Sequence, residues 1–279
     1  MALGCHDISC SYHFMDIVMA VIFLESKDNA KIKHLRGLIE LNSARKKYQQ
    51  TVLEGTHLCL AWLQQQKKIF SLFTTEQALK HPDLQKIMTL YKGHIFVISE
   101  VLYKDLSTLG TTLACLAVID LPQNLPTIDF NQDTLILENV QDPGNVGTLL
   151  RSAAAANIKQ VICTQGSASL WSPRVLRAGM GAHFSLTCFE NSTLEHILPN
   201  FKIPVFVTSS HRSTSLYSKN LTQACVWILG NEGQGASDYA LAHAQAVTIP
   251  QPGGQESLNV AIAGSVCFFE MVRQRQING

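Results

Sequence analysis

The sequence predicts an α/β protein in which a smaller α/β domain precedes a second domain built on a mainly parallel, doubly wound sheet. The chain has 279 residues, of which 46% are hydrophobic and 15% charged, so each of two domains can bury a core. Short apolar runs alternate with stretches of helical spacing, a pattern typical of βαβ units. Residues 121–132 place two prolines and several turn formers between two apolar runs, and are predicted to be a linker.

Residues 1–120 precede this linker and are predicted to hold a leader and the smaller domain. Residues 1–22 match no usable pattern and are interpreted as a disordered leader or as sequence upstream of a later start codon, since Met15 and Met19 are alternatives. Within residues 23–120, hydrophobic spacing predicts helices at 31–48 and 52–66 and strands at 68–74, 94–99 and 113–119.

The most basic part of the chain is the segment 27–47. It contains seven Lys/Arg against Asp28 and Glu40, a local net charge of +5 in a chain whose net charge is +1. A solvated helical face accounts for such a segment as readily as phosphate contact does, and the motifs of the second domain favour phosphate contact. Its consecutive cations Arg45, Lys46 and Lys47 are the candidate phosphate-contacting residues.

Cysteine usage and hydropathy limit the other classes of protein. The eight cysteines include no C-x-x-C pair, and the ten histidines form no metal-ligand spacing with them, so we expect no metal and a reducing, cytoplasmic environment. The apolar run at 17–24 is too short to span a bilayer and lacks a basic flank. We therefore expect neither a membrane protein nor a signal peptide.

Residues 133–279, after the linker, carry the doubly wound pattern. Strands are predicted at 134–137, 160–164, 205–208, 226–229 and 246–249, and helices at 146–157, 173–179 and 258–272. Apolar strands that alternate with helices favour a parallel sheet with helices on both faces.

Three polar, glycine-containing stretches stand near the ends of these strands. They read N-V-Q-D-P-G-N-V-G-T-L-L-R-S-A at 139–153, I-L-G-N-E-G-Q-G at 228–235 and I-P-Q-P-G-G-Q-E-S-L-N-V-A-I-A-G at 249–264. The second does not fit the G-x-G-x-x-G fingerprint, so a nicotinamide site is not predicted. The third has a Pro-Gly-Gly loop whose bare backbone groups suit a neutral, adenosine-like ligand, followed by Ser257 at the expected helix N-cap.

In this order and near this spacing, the three stretches resemble the SpoU (TrmH-type) family of RNA ribose 2′-O-methyltransferases. The resemblance covers residues 132–279 and implies S-adenosylmethionine as cofactor, a homodimer with sites near the subunit interface, and a C-terminal trefoil knot that forms the cofactor pocket. Residues 23–120 contain the run K-D-N-A-K-I-K-H-L-R at 27–36, followed by R-K-K at 45–47 and L-E-G-T-H-L at 53–58. These runs resemble the small substrate-binding domain often found ahead of SpoU catalytic domains. Such an added domain favours ribosomal RNA over transfer RNA as substrate.

The resemblance also implies which residues form the site. Asn145 and Arg151 hold the target ribose and its phosphate, Glu232, Ser257 and Asn259 complete the polar catalytic site, and backbone groups near Gly230, Ile249 and Leu258 hold the cofactor. A 2′-hydroxyl must lose its proton as it attacks the activated methyl group, and this step requires no metal. Arg151 is the family's candidate base, yet a guanidinium stays protonated at neutral pH, which favours phosphate alignment and stabilisation of alkoxide charge.

Ordinary structural roles remain alternatives for these residues. Helix capping or loop capping explains Asn145, Glu232, Ser257 and Asn259, and a solvated charge explains Arg151. Two other functions also stay open. A non-enzymatic RNA-binding relative would fail to bind S-adenosylmethionine, and a methyltransferase of similar knotted fold would modify a base instead of a ribose.

The C-terminal helix, predicted at 258–272, is apolar nearly all round, which indicates burial on more than one side. Ala261, Gly264 and Ser265 are small enough to let a second helix approach closely. We therefore expect an obligate dimer built around this helix.

Overall fold

The computed structural model describes residues 9–14, 17–108, 113–123, 126–209, 214–254 and 257–277, with no account of the side chains of residues 9–20 and 277. The chain forms two compact units. The first comprises Met1–Gln123 with Trp171–Pro173, and the second comprises Asn124–Leu170 with Arg174–Gly279. The division after Gln123 falls inside the segment predicted as a linker, 121–132.

In the described residues of the first unit, one six-stranded sheet carries helices on its connections. Its strands are β1 (Ser9–Phe14), β2 (Ile17–Leu24), β3 (Gln50–Glu54), β4 (Ser71–Thr74), β5 (Ile95–Ile98) and β6 (Leu116–Asp120). Its helices are α1 (Ala30–Glu40), α2 (Asn42–Tyr48), α3 (Thr56–Gln64), α4 (Glu76–Leu79), α5 (Pro82–Leu90) and α6 (Glu100–Leu106). The strand order is β1-β2-β5-β4-β6-β3, with β2, β5 and β4 mutually parallel.

Three expectations for this unit differ from the structure. The predicted leader 1–22 overlaps β1 and β2, and β2 pairs with β5 and buries Val21, so its last residues are part of the folded unit, while residues 1–8 lie outside the described part. The predicted helix 31–48 is interrupted at Leu41, whose backbone is extended. The predicted helix 52–66 is wrong at its start, because residues 50–54 pair with β6 as a fully buried strand.

The second unit contains a seven-stranded sheet in its described residues, and every neighbouring pair of strands is parallel. The strands are β7 (Thr134–Leu137), β8 (Gln160–Thr164), β9 (Thr187–Ser192), β10 (Val205–Thr208), β11 (Thr214–Ser215), β12 (Val226–Leu229) and β13 (Gln245–Thr248), in the order β11-β13-β10-β12-β7-β8-β9. The helices are α7 (Pro143–Ala155), α8 (Pro173–Ala178), α9 (Leu194–Ile197), α10 (Asp238–His243) and α11 (Val260–Ile277). The predicted parallel, doubly wound sheet is confirmed, and four of its five predicted strands match to the residue.

Helix α11 packs on α7 through its small residues. Gly264 is buried against Leu149 of α7 and Leu229 of β12, and a Cβ added there would overlap both side chains. The Ser265 Oγ lies 2.7 Å from the Ser152 Oγ of α7. The small side of α11 is therefore used within the chain, and its predicted role as the contact for a second helix is wrong.

The described residues also bear on membrane and metal association. None of their helices combines the length and the apolar character that crossing a bilayer requires. Within the same residues, no cluster of three or more His, Cys, Asp or Glu side chains is placed to hold a metal ion.

Candidate functional site

The predicted site residues of the second unit follow three strands of its sheet. Asn145 comes after β7, Glu232 after β12, and Ser257 with Asn259 after β13. Since these strands are parallel, their carboxyl ends lie along one edge of the sheet, where doubly wound proteins bind their ligands. The site is therefore assembled from segments that are far apart in sequence.

The first segment begins helix α7 in a way that leaves the Asn145 side chain available. Asp142 is the N-cap, because its Oδ1 accepts a hydrogen bond from the Asn145 backbone N at 2.7 Å, and Pro143 occupies the first helical position. The alternative in which Asn145 itself caps this helix is therefore wrong. Its side chain projects from the first turn of α7 and is free to make other contacts.

Glu232 connects the loop after β12 to this first turn. Its Oε1 accepts from the Asp142 backbone N at 3.1 Å and from the Asn145 Nδ2 at 3.2 Å, while its Oε2 accepts from the Gln141 backbone N at 3.2 Å. Burial raises the pKa of Glu232, but hydrogen bonds from its own backbone, from Asn145 and from the backbones of Gln141 and Asp142 outweigh burial and lower the pKa overall. The carboxylate therefore remains ionised and holds the loop after β12 against the first turn of α7.

Asn259 completes the connection from the start of α11. Its Oδ1 accepts from the backbone N of Ala261 at 2.9 Å and of Ile262 at 3.2 Å, so Asn259 is the N-cap of α11, and the expectation that Ser257 caps this helix is wrong. Its Nδ2 donates to the Asn145 Oδ1 at 2.9 Å. One side chain from each of the three motifs thus joins a single network, Glu232–Asn145–Asn259, which we call the asparagine relay.

The loop that presents Glu232 is closed tightly upon itself. Asn231 and Gly235 exchange two backbone hydrogen bonds of 3.0 and 2.9 Å, and Gly235 has a φ of +75° that favours glycine. A Cβ on Gly230 would overlap the backbone of Gly235 and Ala236. The Asn231 side chain also donates to the Asn139 backbone O at 2.9 Å, a positioning role that the sequence analysis missed.

The remaining predicted catalytic residues stand outside the asparagine relay. Arg151 is exposed on α7, and its side chain has no hydrogen bond or ion pair with any described residue. At about 100° per residue, Arg151 lies about 240° around the helix from Asn145. Ser257 is exposed two residues before the α11 cap. The structure therefore brings together Asn145, Glu232 and Asn259, without Arg151 or Ser257.

Two of the predicted cofactor segments follow strands that are separated by one other strand of the sheet. Gly230 follows β12, Ile249 follows β13, and β10 lies between these two strands. Strands separated by one intervening strand are about 10 Å apart, a width that suits an adenosine-sized ligand. Leu258, 36% exposed, stands at the entry to α11. The segment 249–254 has no charged side chain, so its polar groups are chiefly those of the backbone, and these residues fit a cofactor held by main-chain hydrogen bonds.

The candidate phosphate-contacting residues of the first unit do not all reach solvent. Arg45 is only 5% exposed, and its Nη1 donates to the Leu38 O at 2.9 Å and the Ile39 O at 3.3 Å, near the carboxyl end of α1. Its assignment as an RNA-contacting residue is therefore wrong, because the break at Leu41 turns Arg45 back onto α1. Lys46 and Lys47 are exposed.

Residues 133–269 match the SpoU rRNA Methylase family. The chain is 33% identical over 260 residues to an uncharacterized tRNA/rRNA methyltransferase of Synechocystis sp., spanning 90% of this chain and 94% of that protein. It is 25% identical over 252 residues to a 23S rRNA (guanosine(2553)-2′-O)-methyltransferase of Bacillus subtilis, spanning 89% of this chain and 98% of that protein. The fold is similar to that of the SpoU methyltransferase AviRb from Streptomyces viridochromogenes, which was solved in complex with AdoMet. The TM-score is 0.80 at 20% sequence identity, and the match covers 89% of this chain and 98% of that chain.

Proposed function

The chain belongs to the SpoU family of S-adenosylmethionine-dependent RNA 2′-O-methyltransferases, and we propose that it methylates a ribose 2′-hydroxyl in structured RNA, with ribosomal RNA favoured over transfer RNA. The asparagine relay is the single observation that carries this proposal. It holds side chains from the three family motifs in hydrogen-bond contact at the ligand-binding edge of the sheet. The similarity to a 23S rRNA methyltransferase supports ribosomal RNA.

The bonding of Asn145 explains how the site holds a ribose. A side-chain amide has two N–H donors and a carbonyl oxygen with two lone pairs. Glu232 accepts from the amide nitrogen and Asn259 donates to the oxygen, so one donor and one lone pair remain within the described residues. A ribose hydroxyl both donates and accepts. Asn145 therefore matches the hydroxyl it must orient, and its two protein partners keep its amide from rotating.

The other residues contribute charge and the cofactor site. S-adenosylmethionine supplies a methyl group on a sulfonium, which is electrophilic without a metal. Backbone groups near Gly230, Ile249 and Leu258 hold this cofactor, in a pocket that we propose is closed by a trefoil knot. The exposed guanidinium of Arg151 aligns the RNA phosphate and stabilises the alkoxide that develops as the 2′-hydroxyl loses its proton. We assign Ser257, which is exposed two residues before Asn259, to the polar surface of the same site.

We assign RNA affinity to residues 23–120 of the first unit. Because Arg45 is buried, this assignment rests on Lys46 and Lys47, which are both exposed and adjacent in sequence. Tyr48, 48% exposed, follows them and supports the Lys47 ammonium, which lies 5.2 Å from the centre of its ring. A basic surface with an exposed aromatic side chain suits contact with phosphates and unstacked bases.

We also propose a homodimer in the cytoplasm. The outer face of α11 exposes Ile262 at 54% and Phe269 at 50%, with Val266 half-buried between them. The spacing of these residues, i, i+4 and i+7, places them in one stripe, on the side of the helix opposite Gly264, which contacts α7. A second copy that covers this stripe by two-fold symmetry accounts for the exposed apolar surface. The buried free cysteines among the described residues support a reducing compartment.

Mapping of the modified nucleotide tests the proposed activity. RNA from a strain that lacks this protein is incubated with the purified full-length chain and methyl-labelled S-adenosylmethionine. We expect label in ribosomal RNA at a 2′-oxygen, located by resistance of the adjacent phosphodiester to alkaline cleavage. Label on a base would instead identify a base methyltransferase. Failure of the protein to bind S-adenosylmethionine in calorimetry would identify a non-enzymatic RNA-binding protein.

A further inference from the structure

A cavity of about 750 Å³ lies in the second unit, beside the asparagine relay. Its lining residues lie at the carboxyl ends of β7, β8 and β9, in the loop after β12 and in the first turns of α9 and α10. In the sheet, β8 and β9 lie on one side of β7, and the strands that follow them in sequence lie on the other side. The cavity therefore lies where the strand order reverses. Open α/β sheets bind ligands at this position, and the volume falls within the range of about 300–1,000 Å³ found for small-molecule sites.

The charge of this cavity limits what it can bind. Glu138, Glu195 and Asp238 line it, and no Lys, Arg or His is among the described residues that do so. Three carboxylates repel a phosphate and favour a ligand that presents N–H groups. The neutral lining side chains include Gln165 and Gln234, each exposed and able to donate to a ligand carbonyl oxygen.

Glu138 is the least exposed of the three carboxylates that line the cavity. It is only 9% exposed at the end of β7, and its Oε2 accepts from the Ser237 backbone N at 3.0 Å. Within the described residues its Oε1 has no hydrogen bond. This oxygen is not among the fully enclosed side-chain atoms that lack a partner, so it keeps solvent access and an N–H group of a ligand in the cavity can reach it.

The position of the cavity suits a nucleobase of the substrate. Tyr239, half-buried in the lining, stacks on His243 with ring centroids 4.0 Å apart and also packs against the core, so this wall of the cavity is fixed in place. Asn139 and Asn231 line the cavity, while Gln141 and Glu232, one or two residues further along, belong to or contact the asparagine relay. Two residues of chain span at most about 7 Å, so a base in the cavity lies within reach of a ribose at the relay.

We propose that this cavity binds an unstacked guanine of the substrate RNA, with Glu138 accepting hydrogen bonds from its Watson–Crick edge. Guanine presents a ring N–H and an amino group side by side on that edge, with a carbonyl oxygen next to them. The Glu138 carboxylate accepts hydrogen bonds from these two donors, and a glutamine side-chain amide donates to the guanine oxygen. Uracil presents one N–H between two carbonyl oxygens, which the carboxylates repel. This assignment rests on the proposed RNA methyltransferase function and adds the base that the site selects.

Trinucleotide binding tests the assignment. The full-length protein is titrated with UGU, UIU, in which inosine lacks the guanine amino group, and UUU. We expect UIU to bind about tenfold more weakly than UGU, since it lacks one hydrogen bond to a charged group, and UUU to bind more weakly still. Glu138→Gln retains an oxygen for Ser237 and should bind UGU no better than wild type binds UIU. Equal binding of the three probes by wild type would overturn the proposal.

Controls separate this inference from misfolding and from the proposed function. Thermal unfolding checks that Glu138→Gln is folded, and Asp238→Asn, at the exposed side of the same cavity, should weaken UGU binding to a smaller extent. Glu40→Gln, an exposed carboxylate of α1, should leave the preference for UGU unchanged. Methyl transfer without any preference for UGU would refute only the guanine assignment. A preference for UGU in a protein that transfers no methyl group would refute only the proposed function.

Discussion

Replacement of Glu232 by Gln tests the asparagine relay with almost no change in side-chain volume. The carboxylate accepts three hydrogen bonds, of 3.1 and 3.2 Å on Oε1 and 3.2 Å on Oε2. A Gln oxygen can retain the pair from Asp142 and Asn145, but its NH₂ then faces the Gln141 N–H. One charge-assisted bond is lost, and the two that remain are accepted by a neutral group.

The expected magnitude follows from this count. A hydrogen bond to a charged group contributes about 1.5–3 kcal/mol, and because this site is open to water we expect a loss of about 1–2 kcal/mol. If the relay serves the transition state, the same free energy lowers kcat/KM for RNA about 5- to 30-fold. Methyl transfer is measured with labelled S-adenosylmethionine, whose own affinity, followed by calorimetry, should stay within a few-fold of wild type.

A double-mutant cycle with Asn145→Ala shows whether the effect passes through Asn145. In the Asn145→Ala background, Glu232→Gln should cost clearly less than it does in wild type, because the residue that it orients is absent. If Glu232→Gln is folded and retains wild-type kcat/KM, or if its effect is equal in both backgrounds, the relay does not position the substrate.

Four further outcomes are expected from the same structure. The difference in free energy of unfolding between wild type and Glu232→Gln should be constant near neutral pH and shrink as the pH falls below the ordinary Glu pKa of 4.5. A carboxyl group whose pKa is lowered by folding stabilises the fold above its unfolded pKa, and it loses that contribution as the pH falls through its folded pKa. Urea unfolding at several pH values measures the difference. Arg151→Ala should abolish methyl transfer in single-turnover assays while S-adenosylmethionine affinity in calorimetry stays within a few-fold, and an active variant would refute its role. Replacing Lys46 and Lys47 with Gln should make the plot of log affinity for RNA against log salt concentration less steep, by about 1.4–1.8 in slope. Arg45→Gln should instead lower the free energy of unfolding, by about 2–3 kcal/mol, because Arg45 is buried and hydrogen-bonded to α1. Phe269→Glu should yield monomers in sedimentation equilibrium at low micromolar concentration, and an unchanged dimer would exclude the exposed stripe of α11 as the interface.

The elements predicted correctly are those whose signal lies within a few residues. Strands β7, β8, β10 and β12 are short apolar runs between turn formers, and their burial in a parallel sheet removes the alternation that would otherwise be expected. The helix predicted at 146–157 begins earlier, at Pro143, where Asp142 and Pro143 fill the cap and first-turn positions that their backbone chemistry favours. The order of the three motifs, and with it the family, is also a property of the sequence alone.

Other features depended on which distant segments meet. Residues 50–54 have an apolar pattern compatible with a helix, and only pairing with β6 makes them a strand. Asn259 is the α11 cap, as well as the donor to Asn145, which is 114 residues away. The same holds for Arg45, which is buried because the chain breaks at Leu41 and folds back onto α1. Local propensity acts over a turn of helix or a strand, whereas the choice of face, partner and burial is made by packing between segments that the sequence separates by tens of residues. Composition and motif order therefore determined the class of reaction, and the tertiary structure decided which polar side chains are brought together to carry it out.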